Sequence, residues 1–349
     1  MRQGFSLTAA LLAVPVFALA QMSTSTSAQR SESCSKGSPD WPMQLTLAHD
    51  NDFFGRTDRD YTSGTLLSLR YSKLETVPQD GCPQGWLRST ALWMNRWPSA
   101  ALPERDFVFA LAQQLYTPAD YRARTTLLKE RPYAGWLFGR WAIHANDSQR
   151  SQTIAIDLGV VGPAARGESS QNFFHALEGY PRFQGWNNQL RNELGLQVSA
   201  ERRTLLARSP NSRLIGHYGV GVGNIETYLN TGLQWKFGNR LADSQAIPSS
   251  LRPASPVRAN ALTQSARSAQ WFVGIDARAV GHNIFLDGNT RSSSHSVNRK
   301  PIVADLSAGV AWSWGWADLA YIYSLRTREY EGQSYNQVFG GVSISMPLN

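Results

Sequence analysis

Beyond its first twenty residues this chain of 349 residues contains no apolar run approaching the roughly 18 residues that a membrane-spanning helix needs. Gly-x-Ser-x-Gly is absent, so an α/β-hydrolase nucleophile has no support. His-x-x-x-His and Cys-x-x-Cys are absent too, which argues against zinc, and the phosphate-loop and dinucleotide glycine patterns are missing. Charge is scarce at 17% of residues, with 34 Lys and Arg against 26 Asp and Glu. The net +8 is spread along the chain rather than gathered in one run. Cysteine is rarer still: Cys34 and Cys82 lie outside the patterned segments, and in an exported chain they can pair and tie the N-terminal segment to a loop.

What is present begins with an export signal. Residues 1–20 run from Arg2 through an apolar stretch to Ala18-Leu19-Ala20, the form of a secretory signal peptide cut after Ala20. Residues 21–42, rich in Ser, Thr and Gln, are expected to be a loose lead-in. Export makes an acidic lipid or polysaccharide, not nucleic acid, the natural partner of the basic balance.

From residue 43 to 349 one pattern recurs: about ten alternating residues, a turn or loop, then another alternating stretch. Strands are expected near 43–54, 62–73, 106–117, 135–146, 152–161, 193–206, 213–224, 229–238, 269–280, 302–313, 316–327 and 336–347. In the clearest, Ile154, Ile156, Leu158 and Val160 face one way. Ten-residue strands with one apolar face and one small or polar face are the signature of a membrane barrel. The predicted fold is therefore all-β: a twelve-stranded antiparallel transmembrane β-barrel, expected to be monomeric. A secreted β-sandwich is the competing reading. Trp136, Trp141, Trp235, Trp271, Trp312, Trp314, Trp316, Tyr321 and Tyr323 lie near strand ends, as an aromatic girdle requires. The last residues, Met346-Pro347-Leu348-Asn349, lack the terminal aromatic that usually closes such barrels.

Three longer connections interrupt the strands. Residues 74–105 read as a surface loop and 240–268 as a mobile one. In 162–192, Gln171 to Glu178 reads as a short helix with Gln171 and His175 four apart on one face. Of the six histidines, only His175 has this setting. Such an imidazole suits a general base, although a lone histidine is more often a surface or capping group.

A second candidate lies at His49-Asp50-Asn51-Asp52-Phe53-Phe54, followed by Asp60-Tyr61-Thr62-Ser63-Gly64. Acidic and amide groups at the end of an alternating strand suit a hard cation or a hydrolytic site; ordinary turn chemistry is the bland alternative. By strict alternation Asp50 and Asp52 point one way and Asn51 the other. All three reach one place only if the strand stops or bulges there.

These segments, with Tyr116-Thr117-Pro118, Arg131-Pro132-Tyr133-Ala134-Gly135-Trp136, Gly159-Val160-Val161-Gly162-Pro163 and Gly185-Trp186-Asn187-Asn188-Gln189-Leu190, follow one another in an order that resembles the outer-membrane lipid A 3′-O-deacylase family. The resemblance spans about 43 to 347. It implies a twelve-stranded barrel with its site near the outer mouth, between the wall and a loop helix. The implied reaction is calcium-dependent hydrolysis of the ester holding the 3′-acyloxyacyl chain of lipid A. Implied catalytic positions fall on Asn51, Thr62, Gln171 and His175, with Asp50, Asn51 and Asp52 as candidate Ca2+ ligands. A family tyrosine aligns ambiguously with Tyr180 or Phe183. A family lysine has no lysine here, so Arg122 or Arg124 would stand in. Arg122, Arg124 and Arg131 are candidates for the lipid phosphates, Arg131 being equally suited to brace its loop. Competing functions are an outer-membrane phospholipase, a passive porin and an adhesive barrel. The small, apolar positions Val108, Ala110 and Ala112 argue against a wide polar pore.

Overall fold

A computed structural model describes residues 43–52, 59–74, 85–239, 241 and 267–348. The expected signal peptide, the lead-in, both cysteines and most of 240–268 lie outside the described residues.

Twelve strands form: β1 (Met43–Asn51), β2 (Asp60–Tyr71), β3 (Glu104–Thr117), β4 (Ala134–Asn146), β5 (Arg150–Val161), β6 (Glu193–Ser209), β7 (Ser212–Gly223), β8 (Glu226–Asn239), β9 (Ser268–Asn283), β10 (Ile302–Ser313), β11 (Asp318–Arg326) and β12 (Gln337–Leu348). Each pairs antiparallel with its sequence neighbours, and β1 closes on β12 in a register running from Met43 opposite Leu348 to Asn51 opposite Gly340. Closure leaves no unpaired edge, which satisfies every ladder in a solvent that offers no hydrogen bonds. Strand positions agree with the expected ones to within a few residues. The chief difference is β1, which stops at Asn51 rather than running to 54.

Period-two patterning sorts side chains to two surfaces. Outward, Leu194, Leu196 and Val198 of β6, Leu229, Leu233 and Trp235 of β8, and Trp271, Val273 and Ile275 of β9 are all exposed. A continuous apolar surface of this kind is unfavourable in water and natural in lipid. Inward, Val108, Ala110 and Ala112 are buried, as are charged groups that pair across the interior. Arg140 grips Asp157 with two bonds of 2.6 Å, Arg326 holds Asp305 at 2.8 Å, and Arg278 holds Glu226 at 3.1 Å. Charges out of water persist only when paired. Among the described residues the interior is thus filled, which argues against the porin reading.

Both ends of the chain's strand sequence, Met43 and Leu348, lie at one end of the barrel with the short turns 147–149, 210–211 and 314–317. That end is periplasmic in barrels of this type. The opposite mouth carries the connections 52–59, 118–133, 162–192, 284–301 and 327–336, including helices α2 (Gly167–Glu178) and α3 (Ile284–Asp287).

Two expectations are corrected. Residues 74–105 are not simply a surface loop: they contain helix α1 (Trp86–Met94), which buries Ala91 and Met94. These residues sit at helical spacing and pack on Phe107 and Ile143 of the wall, a tertiary contact that a local reading does not show. Trp136 does not belong to the girdle. It shares the inward parity of Phe138 and Arg140 on β4, is buried, and stacks on Phe138 at 5.0 Å.

Candidate active site

The mouth end of β1 supplies the first half of the site. Gln44, Thr46, Ala48 and Asp50 are buried inward, while Met43, Leu45, Leu47 and His49 alternate outward. Asn51 shares the parity of His49. Beyond it the chain leaves the strand, and Asp52 enters a helical turn. Asp50 accepts a hydrogen bond from the Tyr61 hydroxyl (3.3 Å) on the interior side, whereas Asp52 accepts the backbone N–H of Arg59. Asp50 and Asn51 therefore occupy opposite faces of the wall, and the strand end allows Asp52 an orientation of its own.

Thr62 reaches the outer face through a bulge. Tyr61 pairs with Tyr116 and Ser63 with Leu115, so Thr62 is the extra residue between them. Its hydroxyl shares a 2.7 Å hydrogen bond with that of Thr117. Bulges re-aim side chains at the rims of barrels, and here one turns a hydroxyl toward the surface beside Asn51, whose partner in register is Ser63.

Helix α2 supplies the second half. A 3-10 turn at Pro163–Ala165 leads into it, and Gln113 on the outward face of β3 donates to the Ala165 carbonyl (2.6 Å). Gly167 is required by proximity: a Cβ there would lie 2.7 Å from the Trp186 ring and 3.1 Å from Leu115. The helix ends at Gly179, whose φ of 75° favours glycine. Its buried face presents Gln171 and His175 together, as expected. The range begins earlier than the sequence suggested, at Gly167 rather than Gln171.

His175 donates from Nδ1 to the Pro181 carbonyl at 2.7 Å, which leaves the lone pair of the neutral ring on Nε2. Gln171 accepts from the indole N–H of Trp186 at 2.7 Å. That bond fixes the amide so that Nε2 is its donor end, and this nitrogen is buried with no hydrogen-bond partner among the described residues. Orphaned buried donors are rare and call for a ligand or water.

One ring contact joins the halves. Phe174, beside His175, packs on His49 with centroids 4.7 Å apart. His49 lies one pleat repeat below Asn51 on the same outward face, and its Nδ1 bonds the Thr65 hydroxyl of the neighbouring strand at 3.0 Å. That contact sets α2, which carries Gln171 and His175, against the outward face of β1 that carries His49 and Asn51.

The remaining expected residues divide. Arg122 and Arg124 are exposed in the 118–133 connection. Arg124 donates to Gln184 (2.8 Å), and its carbonyl accepts from Asn188 (2.8 Å), which knits this loop to the segment that holds His175. Tyr180 is exposed with its ring 6.0 Å from His175, whereas Phe183 is buried in a cluster with Leu115, Tyr133 and Trp186. Arg131 is not available to a phosphate. It is fully buried against Glu329 (3.1 Å) and Asp60 (3.7 Å), over the Tyr116 ring, and acts as the brace. Burial would push the Glu329 carboxyl up, but the guanidiniums of Arg131, Arg326 and Arg278 hold it below its ordinary value.

Among the described residues no group of three or more His, Cys, Asp or Glu converges to hold a metal ion. Asn51 and Asp52 offer an amide oxygen and a buried carboxylate at the strand end. An oxygen-only pair suits a hard cation whose shell is completed by carbonyls, water or substrate, and so fits calcium better than zinc.

Three supporting groups escaped the reading of the sequence: Trp186, Thr117 and the Pro181 carbonyl. Trp186 and Thr117 lay within quoted segments, but their roles depend on partners 15 and 55 residues away. The carbonyl carries no sequence signal at all.

A family model described as outer membrane protein LpxR matches residues 7–348. No curated protein sequence matches the chain. Among solved structures, LpxR from Salmonella typhimurium is similar with a TM-score of 0.67 and 18% identity, covering 87% of this chain and 99% of that one. The translocator domain of the autotransporter NalP from Neisseria meningitidis is similar at 0.41 with 8% identity, over 91% and 93% of the two chains.

Proposed function

The chain belongs to the LpxR family of outer membrane proteins, and from that premise we propose that it is a lipid A deacylase, hydrolysing the ester of the 3′-acyloxyacyl chain with His175 as general base. The observation that carries the reading is the pairing of an oriented imidazole and an orphaned amide donor on a helix clamped to a lipid-facing wall.

Each residue has a defined part. The Pro181 carbonyl holds His175 in the tautomer whose Nε2 takes a proton from water as the water attacks the ester carbonyl. The resulting oxyanion is met by the hydroxyl of Thr62, the amide of Asn51 and the Nε2 of Gln171, each worth about 2–4 kcal/mol when preorganised. Collapse breaks the bond from the carbonyl carbon to the sugar oxygen, and that oxygen takes its proton from His175. The fatty acid and the sugar hydroxyl leave. A calcium ion held by Asn51 and Asp52 would supply Lewis-acid polarisation of the carbonyl. Arg122 and Arg124, on the exposed mouth loop, are placed for the phosphates of a glycolipid headgroup.

The test is mass spectrometry of lipid A from cells expressing the wild type or His175→Ala, with isolated membranes assayed in calcium or in chelator. Loss of one acyloxyacyl unit in the wild type alone, abolished by chelator, is the expected result. Unchanged lipid A in every sample, with the barrel folded, refutes the reading. Release of fatty acid from phospholipids instead would assign the same site to a phospholipase.

A further inference from the structure

Helix α1 lies on the outside of the barrel at the end remote from the candidate site. It is held there firmly. Ala91 and Met94 are buried against Phe107 of β3 and Ile143 of β4, and Leu87, Phe109 and Trp141 complete the contact. Arg105, at the start of β3, donates to the carbonyls of Leu102 (3.2 Å) and Ser99 (3.2 Å) and to the Asn95 side chain (3.1 Å), tying the exit of the helix to the wall. The residues it covers are the outward ones, since Val108 and Ala142 on the other parity pack inside with Ala155.

The uncovered side of α1 is mixed: Trp86 and Trp93, seven residues apart, line one flank, and the exposed Ser89 separates them from Leu92. Trp86 is 58% exposed, Trp93 50% and Leu92 38%. Such a flank would be costly in water and typically marks an interface. Its position says which one. Around the same end of the barrel, exposed Trp235 and Phe237 of β8, Trp271 of β9, and Trp314 and Trp316 of the β10–β11 turn form an aromatic belt. In the sector of β3 and β4 the outward wall is covered by α1: Phe107 and Ile143 are fully buried beneath it, and Phe109 and Trp141 are only partly exposed. Trp86 and Trp93 restore the belt one layer out, with Trp86 edge-on to Phe109 at 5.5 Å and Trp93 against Trp97 at 4.5 Å. The segment 86–97 carries Arg88 and Arg96 and no carboxylate, so its charge is of the sign that anionic headgroups attract.

We propose that α1 is an interfacial helix seated in the periplasmic leaflet, its Trp86–Trp93 flank in contact with phospholipid at the boundary between headgroups and acyl chains. The partner is the bilayer surface itself, rich in anionic phospholipid. The contact continues the lipid-facing band of the wall. Amphipathic helices with aromatic residues on the apolar face and arginine on the other sink about 5–10 Å into that boundary. The inference concerns the barrel's seating and stands whether or not the deacylase reading does.

The test places a nitroxide on Trp93→Cys in the full chain, with Cys34→Ser and Cys82→Ser, reconstituted in phosphatidylethanolamine–phosphatidylglycerol vesicles. A matching label on Gln149→Cys, in the short turn at the same end, is the reference for water. The expected result is collision with oxygen at least about threefold higher at 93 than at 149, and with a nickel chelate at least about threefold lower. Equal accessibility at the two positions overturns the proposal. Dipolar broadening between labels at 93 on different molecules also overturns it, by showing that a second copy covers the face. Should Trp93→Cys fail to fold, Trp86→Cys carries the same label on the same flank, two turns away.

Discussion

Replacing Trp186 with Phe removes one hydrogen-bond donor and trims a buried ring that packs with Leu115, Tyr133 and Phe183, so the assay must separate the two effects. Among the described residues the indole N–H alone donates to the Gln171 carbonyl oxygen, at 2.7 Å, and both residues are buried. Leaving that oxygen unsatisfied costs about 1–3 kcal/mol. The amide can escape the cost by rotating, which turns its Nε2 away from where the oxyanion forms. In the proposed reaction the penalty then reappears as a rate: 1–3 kcal/mol is a factor of roughly 5 to 150 in turnover. The assay is deacylation of purified lipid A in detergent–lipid micelles, followed by mass spectrometry, for Trp186→Phe, Gln171→Ala and the double variant. Since Trp186 acts through Gln171, the double variant is expected to be no slower than Gln171→Ala alone. The thermal unfolding of each barrel, read by its gel mobility, separates lost positioning from lost folding. A Trp186→Phe protein within twofold of wild type, or a double variant whose losses multiply, would refute the reasoning.

Other perturbations follow from the same geometry. Thr62→Val keeps the shape of the bulge but removes the hydroxyl shared with Thr117, and is expected to lower turnover by roughly 10²-fold with little change in barrel melting. Gly167→Ala sets a methyl 2.7 Å from the Trp186 ring, so α2 must lift from the wall; reduced activity with retained barrel mobility on gels is expected. Arg131→Met leaves Asp60 buried without its paired cation and strips one of the guanidiniums from Glu329, and is expected to destabilise the mouth by about 3–5 kcal/mol, read as a lower melting temperature. The Glu329 part of the pH response has a definite sign. The Glu329 carboxyl is held below its ordinary value in the folded protein, so its contribution is complete above the ordinary carboxylate range and declines as pH falls through and below it. Melting of the wild-type mouth should therefore drop on acidification below roughly pH 4, and Arg131→Met should flatten that drop.

Much of the fold is legible in the sequence because its grammar is local. Each strand of the barrel has an apolar face set against lipid and a small or polar face set inward, so alternation within ten residues reports both the element and its orientation. The same rule separated Asp50 from Asn51 before any coordinates. Helix α2 is also local, since Gln171, Phe174 and His175 share one face. What the sequence hides is whatever depends on a distant partner. Nothing near Arg131 announces that Glu329, 198 residues away, waits for it inside. The bulge at Thr62 comes from the register of β2 against β3, not from the letters around it. Helix α1 is short, follows a stretch with Pro and Gly, and owes its buried face to wall residues of β3 and β4.

The placing of Asn51, Thr62 and His175 on the outer surface of a closed and filled cylinder has a kinetic corollary. On the proposed reading a lipid reaches them by sliding sideways in its leaflet, and the product departs the same way, so neither crosses an aqueous gap. Encounter frequency is then counted per unit of membrane area rather than per litre. Adding inert lipid to a proteoliposome at fixed volume should slow the reaction in proportion to the substrate's falling mole fraction, whereas diluting the whole suspension in buffer should leave the turnover of each barrel unchanged.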